Sequence, residues 1–354
     1  MEADRFNPLK ILRWHNEITK AIAPGVHHES GSGPIRANLD LTNLCNHSCP
    51  WCEPAEYRAE TVKDQKHTLN TAVAIEVLED LASLDCKLVQ FSGGGEPLLH
   101  HDFGIILEHA KELGMRTFIY TNGVKLGDWW HPYINASADH IRVSLDASNE
   151  AEHIVEHHAK PGDFKKILEN IDFITRHKRT GRPELGVSYV LTKNNSGTAS
   201  VVRTLGLAGE NGFDYLQFRP VSYSSQSQED VDALMVAANA ANSLVEKLCP
   251  KTKVYVLGQR GSDVFHQRKF DKCYASLTLA VISATGDCCA CCDERTKIFG
   301  NVYEHRFKDI WQSDRHRKLA NGIIPLACQR CVQCGFNAAV QRLIVGNEAH
   351  PEIL

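Results

Sequence analysis

Residues 41–52 read Leu41-Thr42-Asn43-Leu44-Cys45-Asn46-His47-Ser48-Cys49-Pro50-Trp51-Cys52, and the rest of the chain is read outward from them. The stretch follows directly on a strand candidate over 37–41. Its spacing is C-x3-C-x2-C, which offers three thiols from one tight loop. A closed zinc site needs four ligands and favours paired C-x2-C knuckles. Three thiolates instead suit a cubane iron–sulfur cluster with one iron left open. An open metal position is a reaction site. Zinc short of a fourth ligand and chance clustering are the competing readings.

Downstream of this loop a strand-then-helix rhythm continues. Short apolar runs predict strands over 87–91, 116–120, 140–145, 186–191 and 215–219. Helical patterns fill the gaps, most regularly over 163–178, where Phe164, Ile167, Leu168, Ile171 and Ile174 share one face. Less regular helices are predicted over 71–84 and 102–113. Six strands alternating with helices predict a parallel sheet with right-handed crossovers. Polar groups gather at the strand ends: Ser92-Gly93-Gly94-Gly95-Glu96-Pro97, Thr121-Asn122-Gly123, Ser144-Leu145-Asp146 and Arg219-Pro220. The carboxyl ends of parallel strands are where such folds bind ligands. Glycine lets a backbone approach a ligand closely, although a Gly-rich turn alone is also an ordinary flexible turn.

The chain has 354 residues, 43% of them hydrophobic and 23% charged, with a net charge of −4. Near-balanced charge makes nucleic acid an unlikely partner by default. No apolar run approaches the ~18 residues of a spanning helix. The charged start Met1-Glu2-Ala3-Asp4-Arg5 lacks an apolar secretion signal, so a cytoplasmic protein is expected. There are 13 cysteines, which in a reducing compartment point to metal or catalysis rather than disulfides. Eight of them fall between Cys273 and Cys334, and only Cys86 and Cys249 stand alone. The 18 histidines give no metal signature when adjacent pairs such as His100-His101 and His157-His158 are considered, and most are expected at the surface. Four regions are expected: a lead-in over 1–35 with an amphipathic segment (Ile11, Trp14, Ile18, Ile22), a barrel over 36–225, a linker helix and strand over 226–260 opening at Ser222-Tyr223-Ser224-Ser225, and a small Cys-rich domain over 261–354 that needs metal staples.

The Cys loop after strand one, followed by Gly93-Gly94-Gly95-Glu96-Pro97 after strand two, resembles the radical S-adenosylmethionine (SAM) superfamily. The resemblance implies an α/β fold, a partial (β/α)6 TIM-like barrel with a small C-terminal Cys-rich auxiliary cluster domain. It implies a [4Fe-4S] cluster on Cys45, Cys49 and Cys52 whose unique iron is chelated by SAM. Trp51 sits where the family has an aromatic residue near the adenine. Gly93, Gly94, Gly95, Glu96, Thr121, Asn122, Ser144, Asp146 and Arg219 stand at the positions expected around the cofactor.

In the second cysteine region the run C-x12-G-x4-C followed by C-x2-C resembles the twitch module, a shortened SPASM domain. That resemblance implies an auxiliary [4Fe-4S] cluster on Cys273, Cys291, Cys328 and Cys331. The sequence departs from a full SPASM pattern at Cys334 and carries Cys288, Cys289 and Cys292 besides. Eight cysteines are enough in number for two auxiliary clusters, but the spacing supports one. Structural zinc is the alternative.

By analogy a 5′-deoxyadenosyl radical removes a hydrogen atom from a substrate carbon, with a flavodoxin-like reductant supplying the electron. Dehydrogenation or epimerisation of a small polar molecule (a sugar, aminocyclitol or nucleoside) is expected. A peptide-modifying enzyme is the runner-up, and an electron-transfer or zinc protein the non-enzymatic reading. For epimerisation Cys249, in Lys247-Leu248-Cys249-Pro250, is the candidate hydrogen-atom donor, on the expectation that it borders the barrel mouth; a small buried apolar role is its ordinary alternative.

Overall fold

A computed structural model describes residues 12–22, 32–52, 67–179, 181–221, 228–257, 270–328, 331 and 333–346. Ile11, Gly31, the polar linker 222–227 and His266 lie outside them. Among the described residues no helix is long and apolar enough to cross a membrane.

Ten strands form one sheet in the order β10-β9-β8-β1-β2-β3-β4-β5-β6-β7. The six expected strands are β1 (Arg36–Asp40), β2 (Leu88–Ser92), β3 (Arg116–Thr121), β4 (His140–Ser144), β5 (Glu184–Leu191) and β6 (Tyr215–Pro220), with β7 (Lys253–Val256) added beyond β6. All seven run parallel. The longer helices are α1 (His15–Ile22), α2 (Thr71–Ser83), α3 (Phe103–Glu112), α4 (Glu150–His157), α5 (Asp163–His177), α6 (Thr198–Asn211), α7 (Gln228–Leu248), α8 (Asp314–Asn321) and α9 (Cys334–Val340). Local chemistry starts them where it should. Asn70 caps α2 by accepting from Ala72 and Val73 N–H, and Asn149 caps α4 by accepting from Glu152 N–H.

Strand alternation separates two faces. Leu39, Phe91, Ile119, Val143, Val187 and Phe218 join the core shared with the helices. The intervening residues face the other way, into the barrel. At its lower end Phe118, His140 and Tyr215 close the interior: the rings of Phe118 and His140 are 4.6 Å apart, and His140 Nε2 meets Tyr215 Oη at 2.9 Å. Above this plug the inner face is polar.

The Cys-rich region does not fold as a separate sheet. Its strand β8 (Leu279–Ile282) runs parallel to β1, and β9 (Asp287–Cys289) and β10 (Ile298–Asn301) extend the sheet antiparallel. Strand β1 is therefore hydrogen-bonded on both sides. Buried Asp80 on α2 also accepts from Arg306 Nε and a terminal nitrogen at 3.0 and 2.7 Å, tying the two parts together. The lead-in helix α1 has a use that its sequence left open: Ile18 is buried with Phe270, Tyr274, Cys334 and Val340.

Gly186 has no room for a side chain, because a Cβ there would overlap the Tyr215 ring. Gly186→Ala is expected to displace Tyr215 from His140 and destabilise the fold by about 1–3 kcal/mol. A thermal midpoint equal to that of the unsubstituted protein would contradict this account of the plug.

Candidate active site

The Cys loop leaves the upper end of β1 and lies beside the Gly-rich turn that leaves β2. Cys45, Cys49 and Cys52 are half-buried. The loop is tightly wound: Cys52 N–H donates to Cys49 C=O at 3.1 Å, and His47 N–H points at Cys45 Sγ at 3.5 Å. Three half-buried thiols on one loop, with a backbone N–H directed at sulfur, fit an iron–sulfur cluster with an open position.

The glycines act on the protein itself. A Cβ on Gly93 would overlap Asp40, one on Gly94 would overlap Asn43 Oδ1, and one on Gly95 would overlap Leu44 C=O. Gly93 also has φ +129°, which side chains disfavour. Glycine is thus required for the turn to pack onto the Cys loop, a constraint in addition to any ligand. Glu96 N–H donates to Leu44 C=O at 2.8 Å and locks the two together.

The polar residues expected around the cofactor divide into two sets. Glu96 is buried and accepts from Leu98 N–H at 3.1 Å, Thr121 Oγ1 at 2.7 Å and Asn122 N–H at 2.7 Å. Burial lifts its carboxyl to about 7, against the pull of those three donors. Asn122 also donates to Asn46 on the Cys loop at 2.8 Å. Asp146 is fully buried at φ +49°, accepting from Val190 N–H at 2.5 Å and lying 3.4 Å from His157 Nε2. Glu96, Thr121 and Asn122 therefore engage one another, Asp146 engages the backbone and His157, and together they shape the mouth from within. Trp51, Ser144 and Arg219 are half-buried and stay at the surface of the opening. Trp51 Nε1–H donates to Glu156 at 3.2 Å, and Arg219 Nε–H donates to Ser188 Oγ at 3.1 Å.

The inner wall joins the strand-end residues Tyr120, Gln217 and Arg219 to Asp40, Arg142 and Ser188, which the sequence reading did not single out. Register aligns Tyr120 with Arg142, Ser144 with Ser188, and Ser188 with Gln217. The Arg142 guanidinium lies 3.6 Å from the Tyr120 ring centroid, a cation–π contact that fixes it. Gln217 is buried with neither amide atom partnered. Asp40 is neutralised by Arg295 of the Cys-rich region at 2.6 Å. Among the described residues neither Arg142 nor Arg219 meets a carboxylate. Period-2 alternation of the strands was the signal that could have found Arg142 and Ser188.

Two expectations are corrected. Cys249 does not border the mouth. It ends α7, its C=O accepts from Thr252 N–H at 2.9 Å, and Thr252 Oγ1 donates to Phe213 C=O below the start of β6. Parallel strands place that join at the closed lower end. Cys249 is fully buried, and burial pushes its thiol up, as for a small apolar core residue. The histidines are likewise often interior among the described residues, against the expectation of surface positions: His47, His100, His140, His153, His157 and His316 are buried. His153 and His157 stand four apart on α4, a one-face spacing hidden when only adjacent pairs are considered. Each of His47, His153 and His157 places one nitrogen within 4.8 Å of the others, a geometry in which three histidines could hold an ion. Both His157 nitrogens already have partners, however: Cys49 Sγ at 3.2 Å on one side and Leu145 C=O at 3.1 Å on the other.

In the Cys-rich region Asn337 Nδ2 lies 3.9 Å from both Cys273 Sγ and Cys331 Sγ, so those thiols flank one amide. Cys291 acts electrostatically on both of them. Cys334 joins the group through a hydrogen bond that raises Cys331. Cys328 Sγ approaches Ile324 C=O at 3.9 Å. Cys273, Cys291, Cys331 and Cys334 are thus linked, so that Cys334 joins the candidates beside the Cys328 that the spacing put in the set. A small cavity lined by Arg36, Asn38, Cys291 and Cys292 adjoins this group beside β1.

Comparison with known proteins agrees with this geometry. The Radical SAM superfamily profile matches residues 39–215, and that of the SPASM iron–sulfur cluster-binding domain matches residues 273–335. The chain belongs to the radical SAM superfamily and carries a C-terminal SPASM domain; its cofactors are SAM, a [4Fe-4S] cluster and auxiliary iron–sulfur clustering. A curated S-adenosylmethionine-dependent nucleotide dehydratase of Lacinutrix mariniflava is 34% identical over 140 residues, which are 39% of this chain and only 29% of that relative. In fold the chain is similar to Streptococcus suis SuiB bound to precursor peptide SuiA (TM-score 0.61, 14% identity, 91% of this chain and 74% of that one). It is also similar to anSMEcpe with bound AdoMet (TM-score 0.60, 15% identity, 86% of this chain and 88% of that one).

The contact between Cys331 and Cys334 makes Cys334→Ala the telling auxiliary variant. It is expected to lose the same iron as Cys331→Ala after anaerobic reconstitution. Full iron in Cys334→Ala together with loss in Cys328→Ala would restore the ligand set that spacing suggests.

Proposed function

We propose that this radical SAM enzyme removes a hydrogen atom from a small polar substrate bearing an anionic group, a nucleotide being the leading class. In this reading Cys45, Cys49 and Cys52 hold the [4Fe-4S] cluster, which supplies reductive cleavage of SAM to the 5′-deoxyadenosyl radical when loaded. The observation that carries the substrate class is the inner wall. Among the described residues Arg142 and Arg219 face the barrel interior without carboxylate partners, and Gln217 beside them has neither amide atom partnered. Two such cations suit two anions. Arg219, nearer the mouth, is assigned to the SAM carboxylate, and Arg142, one layer deeper beside Tyr120, to the substrate. Bidentate guanidinium recognition of a carboxylate or phosphate is strong and directional. The nucleotide dehydratase relative supports a nucleotide, although the aligned part is less than a third of that protein.

Net oxidation or elimination is preferred to inversion, because the thiol put forward as hydrogen donor, Cys249, lies at the closed end. The inner wall above the plug is left to aim the substrate carbon and keep water out.

Dithionite-reduced, reconstituted protein is expected to form 5′-deoxyadenosine and methionine, faster with nucleoside triphosphates than with the parent nucleosides. Deuterium at the reacting carbon should then appear in 5′-deoxyadenosine. Arg142→Gln is expected to raise the nucleotide KM about tenfold or more, equivalent to about 1.4 kcal/mol, while SAM cleavage without substrate is unchanged. Arg219→Gln should instead raise the SAM requirement. Stimulation by peptides and not by any nucleotide would replace this reading with the peptide-modifying one. A product lighter by two hydrogens indicates dehydrogenation, and one lighter by water indicates dehydration.

A further inference from the structure

The loop that carries Cys49 rests on a buried histidine whose nitrogens both face acceptors. His157 is 1% exposed. Its Nδ1 lies 3.2 Å from Cys49 Sγ, and its Nε2 lies 3.1 Å from Leu145 C=O and 3.4 Å from Asp146 Oδ2. A carbonyl and a carboxylate can only accept, so Nε2 donates. Once Cys49 is a metal-bound thiolate it too can only accept, so Nδ1 donates as well. Asp146 is anchored by Val190 N–H, and Asn195 Nδ2–H donates to the Asp146 C=O at 2.8 Å, so the dyad sits on rigid backbone. The surroundings keep the ring in place. His153 stacks against it at 4.6 Å, His47 at 5.2 Å and Trp51 edge-on at 5.6 Å. Two other carboxylates meet this cluster of rings: Asp163 is held by His47 Nε2 at 3.1 Å, and Glu156 accepts from Trp51 Nε1–H at 3.2 Å.

We infer that His157, aligned by Asp146, is a positioning residue that donates an N–H···S hydrogen bond to Cys49 and thereby raises the reduction potential of the cluster on Cys45, Cys49 and Cys52. The inference rests on the reading that Cys49 is a cluster ligand. Hydrogen bonds to cluster sulfurs stabilise the reduced, more negative state. The event affected is addition of one electron from an external reductant, with no bond made or broken in the protein. The contact also explains why α4 carries histidines at both positions 153 and 157: one donates to the sulfur, and the other fills the space behind it without competing for the thiolate.

The test is an EPR-monitored redox titration of the reconstituted full-length protein, following the signal that shifts on adding SAM and so belongs to the open-iron cluster. Iron and sulfide are counted in parallel. His157→Phe is expected to retain its iron and to shift the reduction equilibrium at least tenfold towards the oxidised state, about 59 mV more negative for one electron. His157→Asn, whose amide can take the place of Nδ1–H, should fall between the two. An unchanged potential in His157→Phe with iron retained overturns the inference. Loss of cluster iron from both variants overturns it too, because His157 would then only hold the loop in shape. Absence of any SAM-responsive signal in the unsubstituted protein would instead overturn the ligand assignment on which the inference rests.

Discussion

Strand β1 is the member on which the site depends. It is hydrogen-bonded in parallel to β2 on one side and to β8 on the other, so it cannot shift register without breaking both the barrel and the Cys-rich extension. A one-residue slip would turn Asn38 and Asp40 outward and bring Ala37 and Leu39 into the polar interior. Because β1 is fixed, the Cys loop leaves it at a defined height. The Gly-rich turn from β2 then packs against that loop at distances only glycine permits. Asp40, at the end of β1, completes the arrangement by pairing with Arg295. Burial alone would favour a neutral Asp40, while Arg295 opposes this; the guanidinium itself is held charged chiefly by Asp40. Barrel and auxiliary region thus share one strand, one ion pair and one wall.

Much of this was legible in the sequence because it is local. The six barrel strands, the face of α5 and the long helix before β7 all follow from periodicity, which needs no tertiary information. The C-x3-C-x2-C loop was legible because three ligands arise from consecutive turns. What the sequence hid was long-range. Nothing in the spacing of residues 279–301 says that β8 pairs with β1, so the Cys-rich region read as a separate module. Cys334 was set aside as a departure from a pattern of spacings, and only its contact with Cys331 beside Asn337 brings it forward as a candidate. Cys249 was misplaced for a related reason: a helix-to-strand join in a parallel barrel lies at the amino end of its strand, opposite the ligands.

The buried histidines show a subtler limit. His47, His153 and His157 come from a loop and a helix about 100 residues apart, and only strand order brings them together. Burial and neighbouring rings hold His153 down to about 3. Burial would depress His157 as well, but bonds to Asp146 and Cys49 carry it the other way, to about 10. Two histidines one turn apart are therefore shifted in opposite directions, and the difference is set by which one faces acceptors.

The central claim is that the polar mouth of this barrel is built around iron held by Cys45, Cys49 and Cys52, with a second iron centre beside β8. An anomalous difference map measured on both sides of the iron edge, from crystals of anaerobically reconstituted protein, tests it most directly. The account predicts one strong iron peak against those three sulfurs at the upper end of β1 and another beside Cys273, Cys291 and Cys331 in the Cys-rich region. Anomalous signal from zinc in place of iron at the Cys loop, or iron among His47, His153 and His157 with none on the three thiols, would contradict it.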